Sequence, residues 1–598
     1  MPVIAHLRRV APYYRPHRTS FAAGLTLVVL GSAVSSVIPW LLRAGIDAMR
    51  AGAPMSRVWK LSSVIIGTAV VAGVIRYAMR ELVNGVSRRI EYDLRNDLFA
   101  RLTELDAKFF AGMRTGDIIA RLSNDLGAVR MAVGPAVMYL TNTIAGGLFA
   151  LAYMLRISPR LTGIALLPLL VLPVITIRMG KAIHDRFESV QEHFSTLTTH
   201  AQENLTGARI VRAYRQERAE IKRFGRLNDE YLTRNMALVR LWGTLNPLFE
   251  LFGGIGAAVV LGLGGALAVR GTITVGEFVA FGLYLTMLTW PLIALGWVVN
   301  LFQRGDASMG RLYDILDARS EIAPEPSPQH LAPATNGRRI EFRNVGFHYP
   351  APEGLAPRWV LRGVSFTIPA GETLGVVGAT GSGKSALLDL LPRLHDPQEG
   401  EILIDGIPIR HLPLEELRAE LGVVPQESLL FSDTIDSNLS YGASEKSDGR
   451  RAAQIAQLSK TISEFPGGYD TMLGERGINL SGGQKQRAAL ARALARNPSI
   501  VLLDDALSAV DTATEAEILR ALRETLTGRT TIIASHRISA IRQASWIVVL
   551  DEGRIVEEGR HEELVARPGR YQSLLRRQQL LDAVESDSLA SSGPTATI

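Results

Sequence analysis

The sequence predicts an α-helical transmembrane domain of six spans with long cytoplasmic helical hairpins, followed by an α/β P-loop domain. Two observations carry this. Six uncharged apolar stretches fill the first half, and strand-like runs alternating with helical ones around a glycine-rich loop fill the second. The length of 598 residues allows two to four domains. A composition 47% hydrophobic and 21% charged excludes disorder over most of the chain and is too apolar for an ordinary soluble protein.

The apolar stretches are Phe21–Leu42, Leu61–Ile75, Met131–Leu155, Leu161–Ile177, Leu251–Val269 and Phe278–Gln303. Most reach the roughly 17–25 residues a bilayer-spanning helix needs, and Leu61–Ile75 reaches it with its flanks. Pro39, Pro168, Pro173 and Pro291 inside them are better tolerated in membrane helices than in soluble ones. The first stretch is too long for a signal peptide and no cleavage pattern follows it. Spans two and three, and again four and five, are separated by long polar segments poor in Gly and Pro. Arg76–Arg130 and Arg178–Glu250 therefore read as helices that continue out of the membrane, each hairpin reaching roughly 40 Å at 1.5 Å per residue. Eleven Lys or Arg lie between Lys181 and Arg240. The positive-inside rule places these hairpins and the N-terminus in the cytoplasm.

The predicted domains are a transmembrane domain over 1–320, a linker over 321–337 marked by Pro324, Pro326, Pro328 and Pro333, a nucleotide-binding domain over 338–580, and a disordered tail over 581–598. With no cysteine in the chain, disulfides, thiolate metal sites, iron–sulfur clusters and a cysteine nucleophile are excluded. The net charge of +7 comes from basic residues beside apolar runs. That fits a lipid bilayer as partner, and no nucleic acid.

The chemistry starts at Gly378-Ala379-Thr380-Gly381-Ser382-Gly383-Lys384-Ser385, which matches G-x-x-x-x-G-K-[ST] between the apolar strand Thr373–Val377 and an expected helix Ala386–Leu394. Its glycines let backbone N–H groups close around phosphates at the positive end of a helix. Lys384 is placed to reach the phosphates and Ser385 to ligate Mg²⁺, so ATP and Mg²⁺ are the expected cofactors. Ile500–Asp504 is a buried strand ending in a carboxylate, and Asp504 is the expected second Mg²⁺ contact. Leu480-Ser481-Gly482-Gly483-Gln484 precedes the expected helix Lys485–Arg496. Ser481 and Gln484 have capping-box spacing, which alone would mean only a well-capped helix. Two glycines in the first turn weaken a helix unless something approaches its backbone, and the expected visitor is a phosphate.

The run Leu480–Gln484 between a phosphate loop and Asp504 resembles the signature of ATP-binding-cassette (ABC) proteins. With six spans and two long hairpins ahead of it, nearly the whole chain resembles an ABC exporter half-transporter of the multidrug, peptide and lipid exporters, and one subunit of a heterodimeric exporter in particular. The resemblance implies that Tyr349 stacks on adenine, that Gln426 contacts Mg²⁺ and the attacking water, and that His536 contacts the γ-phosphate. It also implies that Gly474-Glu475-Arg476-Gly477 and Ser508-Ala509-Val510-Asp511 meet the partner chain and the hairpins. At the position after Asp504 the family normally has Glu as general base, whereas this chain has Asp505. The side chain is shorter by one methylene, about 1.5 Å, and a misplacement of about 1 Å can cost on the order of 100-fold in rate. The site is therefore expected to bind ATP and hydrolyse it poorly.

In the family two cassettes meet head to tail, so Leu480–Gln484 would complete a site on a second half-transporter that supplies the Glu. The expected function is ATP-driven export of amphipathic drugs, peptides or lipids from a bacterial cell across the inner membrane, with both termini and the cassette cytoplasmic. An ATP-gated channel or regulatory membrane protein and a slow homodimeric exporter are the alternatives. Asn246, Glu250, Asn300, Gln303, Tyr284, Trp290 and Trp297 lie where substrate could pass. They equally fit helix contacts or an aromatic belt, and none is assigned.

Overall fold

The computed structural model describes residues 5–168, 171–322, 325–334, 336–350, 356–443 and 445–591. It divides into two compact units. The first comprises the chain up to Glu104 and Met113–Ala318; the second comprises Leu105–Gly112 and everything from Arg319.

The first unit is helical: α1 (Arg18–Arg50), α2 (Met55–Glu104), α3 (Val137–Ile157), α4 (Val171–Thr206), α5 (Glu217–Val259) and α6 (Val275–Leu316) are its long elements. Among the described residues four helical stretches are long and apolar enough to cross a membrane: Leu7–Arg50, Met55–Glu104, Thr115–Ile157 and Glu250–Val269. The other two expected spans touch residues outside the described set. Residues 169–170 of Leu161–Ile177, and the side chains of 289–295 in Phe278–Gln303, lie outside it. As the scarcity of Gly and Pro predicts, α2 runs unbroken from an apolar start into a polar end, and α4 and α5 pack as a pair. His193 Nε2 meets the Leu227 carbonyl at 2.8 Å and Arg234 donates to Ser189 Oγ at 3.0 Å. Pro135, which lacks the N–H an α-turn needs, sits in a widened π-turn at Ala132–Ala136. The start of α6 is fixed by a capping box between Thr274 and Glu277, and Asp47 of α1 accepts from Thr274 Oγ1 at 2.7 Å and Gly276 N at 2.9 Å.

The second unit holds two sheets. One is antiparallel, in the order β2-β1-β4-β5, with β1 (Ile340–His348), β2 (Trp359–Ile368), β4 (Glu399–Ile404) and β5 (Ile407–Pro408). The other has the order β10-β9-β3-β8-β7-β6. Its members are β3 (Thr373–Val377), β6 (Leu421–Val424), β7 (Ile500–Asp504), β8 (Thr530–Ser535), β9 (Trp546–Asp551) and β10 (Arg554–Gly559). All pairs in it are parallel except β9–β10. β7 is buried along its whole length, as an uninterrupted apolar run in a parallel sheet should be. Phe342, Phe347 and Leu361 of the first sheet join Val376, Leu502 and Val548 of the second in one apolar core around α7 (Lys384–Leu390). A second core lies under α8 (Gly482–Ala495) and α9 (Thr512–Leu526), where Leu490, Leu503 and Ile518 meet.

Several element boundaries differ from the sequence reading; α8 starts at Gly482, three residues before the expected Lys485, because its capping box sits at Ser481. α7 starts at Lys384, two residues early, because Gly383 at φ +104° serves as its left-handed N-cap, a conformation costly for other residues. It ends at Leu390 rather than Leu394, close before Pro392, which cannot continue a helix. The last helix, α10 (Arg570–Ser591), runs past 581, where a disordered tail was expected; 592–598 lie outside the described residues.

Candidate functional site

The parallel sheet brings the predicted residues to one edge. In parallel strands the C-terminal ends align, and ligands of open α/β sheets bind outside those ends. β3 ends at Val377 before the phosphate loop, β7 ends at Asp504, β8 at Ser535 before His536, and β6 at Val424 two residues before Gln426. Gln426 is exposed there.

Within the loop, Lys384 is only 8% exposed and its Nζ donates to the carbonyls of Gly378 (2.9 Å) and Ala379 (3.1 Å). Burial pushes its ammonium below the usual range, against the opposing charges of Asp505 and Asp504. The Ser385 hydroxyl hydrogen-bonds Asp504. Burial raises the Asp504 carboxyl, the Ser385 bond opposes this and the Asp505 charge reinforces it. Asp504 Oδ1 is buried with no hydrogen-bond partner. A buried ammonium without an anion and a buried carboxylate oxygen without a partner both fit a Mg²⁺–phosphate pair. Mg²⁺ takes few protein ligands and keeps phosphate and water oxygens. Ser385 and Asp504 are therefore the residues able to hold it. Ser382 Oγ is likewise buried and unpartnered in the same loop. Thr380, Gly381 and Ser382 share a cavity of about 900 Å³ with Tyr349, Pro350, Trp359 and the turn Asp551–Gly553. Tyr349 and the phosphate loop thus face one space.

Asp505 follows β7 in a left-handed conformation, φ +45°, and is 7% exposed. Its Oδ1 accepts from Ser535 Oγ (3.0 Å) and His536 N (3.0 Å), and lies 2.9 Å from His536 Nδ1. The short carboxylate is tied to the end of β8.

The signature run behaves differently from expectation in one respect. Ser481 and Gln484 form a full capping box: Ser481 N donates to Gln484 Oε1 at 2.8 Å and Gln484 N to Ser481 Oγ at 3.3 Å. Leu480 is buried beneath the turn and Ser481 is exposed. The two glycines, however, have separate reasons. A Cβ on Gly483 would lie 2.6 Å from the Ala509 carbonyl oxygen, so this chain's own backbone demands that glycine. A Cβ on Gly482 would meet only the Ala509 Cβ, at an ordinary 3.6 Å. Gly482 is the one of the two that this chain's own packing does not require. Gly483→Ala should therefore destabilise the cassette by about 1–3 kcal/mol. Gly482→Ala should leave thermal unfolding unchanged and still lower ATPase activity of the assembled transporter. Equal stability losses for both would remove the distinction.

Two residues escaped the sequence reading. Gln486 is 6% exposed and bolts α8 to the loop after Asp505. Its Nε2 donates to Ser508 Oγ (2.8 Å) and Asp505 O (3.3 Å), and its Oε1 accepts from Ala509 N (2.9 Å). A polar residue on the buried, alanine-rich face of a helix was the available signal. Asp389 lies one turn beyond Ser385 on α7, and burial with the nearby Asp504 charge pushes its carboxyl up to about 6. In an unfolded chain it titrates near 3.9, so its penalty is absent below about pH 4 and complete above about pH 6. Asp389→Asn should stabilise the nucleotide-free protein at pH 8 by roughly 1 kcal/mol after solvent screening, and not at pH 4. Thermal unfolding at both pH values checks this, and an equal shift at both contradicts it. Asn246, Trp290 and Arg476 have side chains outside the described residues.

Residues 21–292 match the ABC transporter transmembrane region and residues 361–508 the ABC transporter family. The chain is 35% identical over 587 residues to the probable multidrug resistance ABC transporter ATP-binding/permease protein YheI of Bacillus subtilis (strain 168), covering 97% of this chain and 98% of that protein. It is also 35% identical to the ATP-dependent lipid A-core flippase of Syntrophus aciditrophicus (strain SB), over 96% of this chain and 95% of that one. A solved bacterial Atm1-family ABC exporter with ATP bound superposes with a TM-score of 0.77 at 31% identity, covering 94% of this chain and 99% of that chain.

Proposed function

The chain belongs to the ABC transporter family, with transmembrane region and ATP-binding cassette joined as an exporter-type half-transporter, and from that premise we propose that it is the hydrolysis-impaired half of a heterodimeric exporter. It moves amphipathic drugs, peptides or lipids out of the cytoplasm, in keeping with the multidrug and lipid-flippase names of its relatives. It resides in the bacterial inner membrane with both termini and the cassette cytoplasmic.

The observation that carries the impaired half is the engagement of Asp505. A general base must present a free lone pair to the proton it abstracts, within about 2.6–3.2 Å. Asp505 Oδ1 has three neighbours from Ser535 and His536, which ties the carboxylate to the end of β8 and leaves only Oδ2 for a water, and the side chain is one methylene short. When bound, Mg²⁺ would neutralise phosphate charge between Ser385 and Asp504. Lys384 gives up its loop carbonyls to bind phosphate oxygens, Tyr349 stacks on adenine, and the loop N–H groups after Gly378 hold the anion. His536 and Gln426 border the γ-phosphate side at the ends of β8 and β6. Leu480–Gln484 presents Ser481 and the free backbone at Gly482 to the partner's nucleotide, where a complete base turns it over. Closure of the two cassettes then drives alternating access, and hydrolysis at the partner's site resets it.

Transport in inside-out vesicles tests the reading. ATP-driven accumulation of an amphipathic dye against its gradient is expected. A current through planar bilayers without accumulation would instead mean an ATP-gated channel.

A further inference from the structure

Tyr349 is 44% exposed, with its ring in the cavity of the phosphate loop. An exposed tyrosine at a strand end has free rotamers, and a stacking platform needs one. Two rings restrain it. Phe347 of β1, two residues earlier, packs edge-on at 4.9 Å and is itself 1% exposed. His395 meets Tyr349 at 5.5 Å with the ring planes at 89°, and Phe347 at 5.3 Å.

His395 is held firmly by its loop. Arg393, 3% exposed, donates Nε and Nη2 to Asp396 at 2.9 and 2.8 Å, closing a bidentate pair around His395. Gln398 ties the same loop to β1, its N donating to Gly346 O at 2.9 Å and its Oε1 accepting from His348 N at 2.9 Å. Burial lowers the His395 imidazole below its usual range, which favours the neutral ring that edge-to-face packing uses. The carboxylate whose charge acts on it, Asp106, is already satisfied by Glu321 N (2.7 Å), Phe109 N (3.1 Å) and Ser320 Oγ (3.1 Å). It does not need His395 as a partner.

We propose that His395 is a positioning residue for base recognition: pinned between Arg393 and Asp396, it sets the Tyr349 ring in the one orientation that stacks on adenine. This rests on the proposed stacking role of Tyr349. His395 thus governs how far the site prefers a base-bearing nucleotide to a bare polyphosphate, without touching either.

The test compares equilibrium binding of MgATP and Mg-tripolyphosphate to the full transporter, with the partner's own site disabled. His395→Ala should weaken MgATP by about 3–10-fold, the range of one aromatic pair, and leave tripolyphosphate unchanged. His395→Phe should restore MgATP binding, because an aromatic edge suffices. Equal loss of both ligands would mean a merely structural role and overturns the proposal, as does unchanged MgATP affinity. Tyr349→Ala separates the two ideas. If it weakens MgATP while His395→Ala does not, only the role of His395 falls; if it has no effect, the stacking reading falls and this proposal with it.

Discussion

Ser481→Arg should abolish most ATPase activity of the assembled transporter, by about 100-fold or more, whereas Asp505→Ala should leave most of it. The asymmetry follows from where each group works. Ser481 is exposed at the N-terminus of α8, where its Oγ accepts from the Gln484 N–H. The exposed face at Gly482 has no backbone contact closer than ordinary packing. An arginine there would block a partner's γ-phosphate from the helix end, and removing one such stabilising donor set costs on the order of 10²–10³ in rate. Asp505, by contrast, is one methylene short and held at Oδ1 by Ser535 and His536, so on the proposed reading little turnover should be lost with it. Steady-state ATPase of each purified complex at saturating ATP measures both. Equal damage from the two substitutions would mean two equivalent sites and a homodimer.

Lys384→Ala should weaken MgATP at this chain's own site by roughly 10–100-fold, the loss of about 1.5–3 kcal/mol expected for charged hydrogen bonds. In this structure the ammonium occupies itself with the carbonyls of Gly378 and Ala379 while buried. Those acceptors are neutral, and burial pushes the ammonium down against the charges of Asp505 and Asp504, so a phosphate is a stronger partner. Equilibrium binding with the partner's site separately disabled gives the affinity. A value equal to that of the unmodified chain would take Lys384 out of the site.

The parts of this site that could be read in the sequence are those whose spacing is set by a single backbone device. The phosphate loop must turn between a buried strand and a helix, so Gly378, Gly383, Lys384 and Ser385 keep a readable pattern. β3 and β7 are covered on both faces and show as unbroken apolar runs. The antiparallel sheet was not read, because the register shifts along β1 between Phe342 and Phe347 break the alternation that would reveal it. Contacts distant in sequence were equally hidden. The Asp505–His536 contact spans 31 residues and Gln486–Ala509 spans 23, and no local pattern encodes either. The contact of Gly483 with the Ala509 backbone is hidden for the same reason, since it joins segments 26 residues apart. α10 was missed beyond 581 because small polar residues there carry no apolar stripe.

The most direct measurement is the identity of the nucleotide kept on this chain during turnover. The active complex is photolabelled with 8-azido-ATP carrying an α-phosphate label, the two subunits are separated, and the bound label is resolved into triphosphate and diphosphate. The account predicts triphosphate on this chain and diphosphate on its partner. Diphosphate appearing on both chains at the same rate would contradict it.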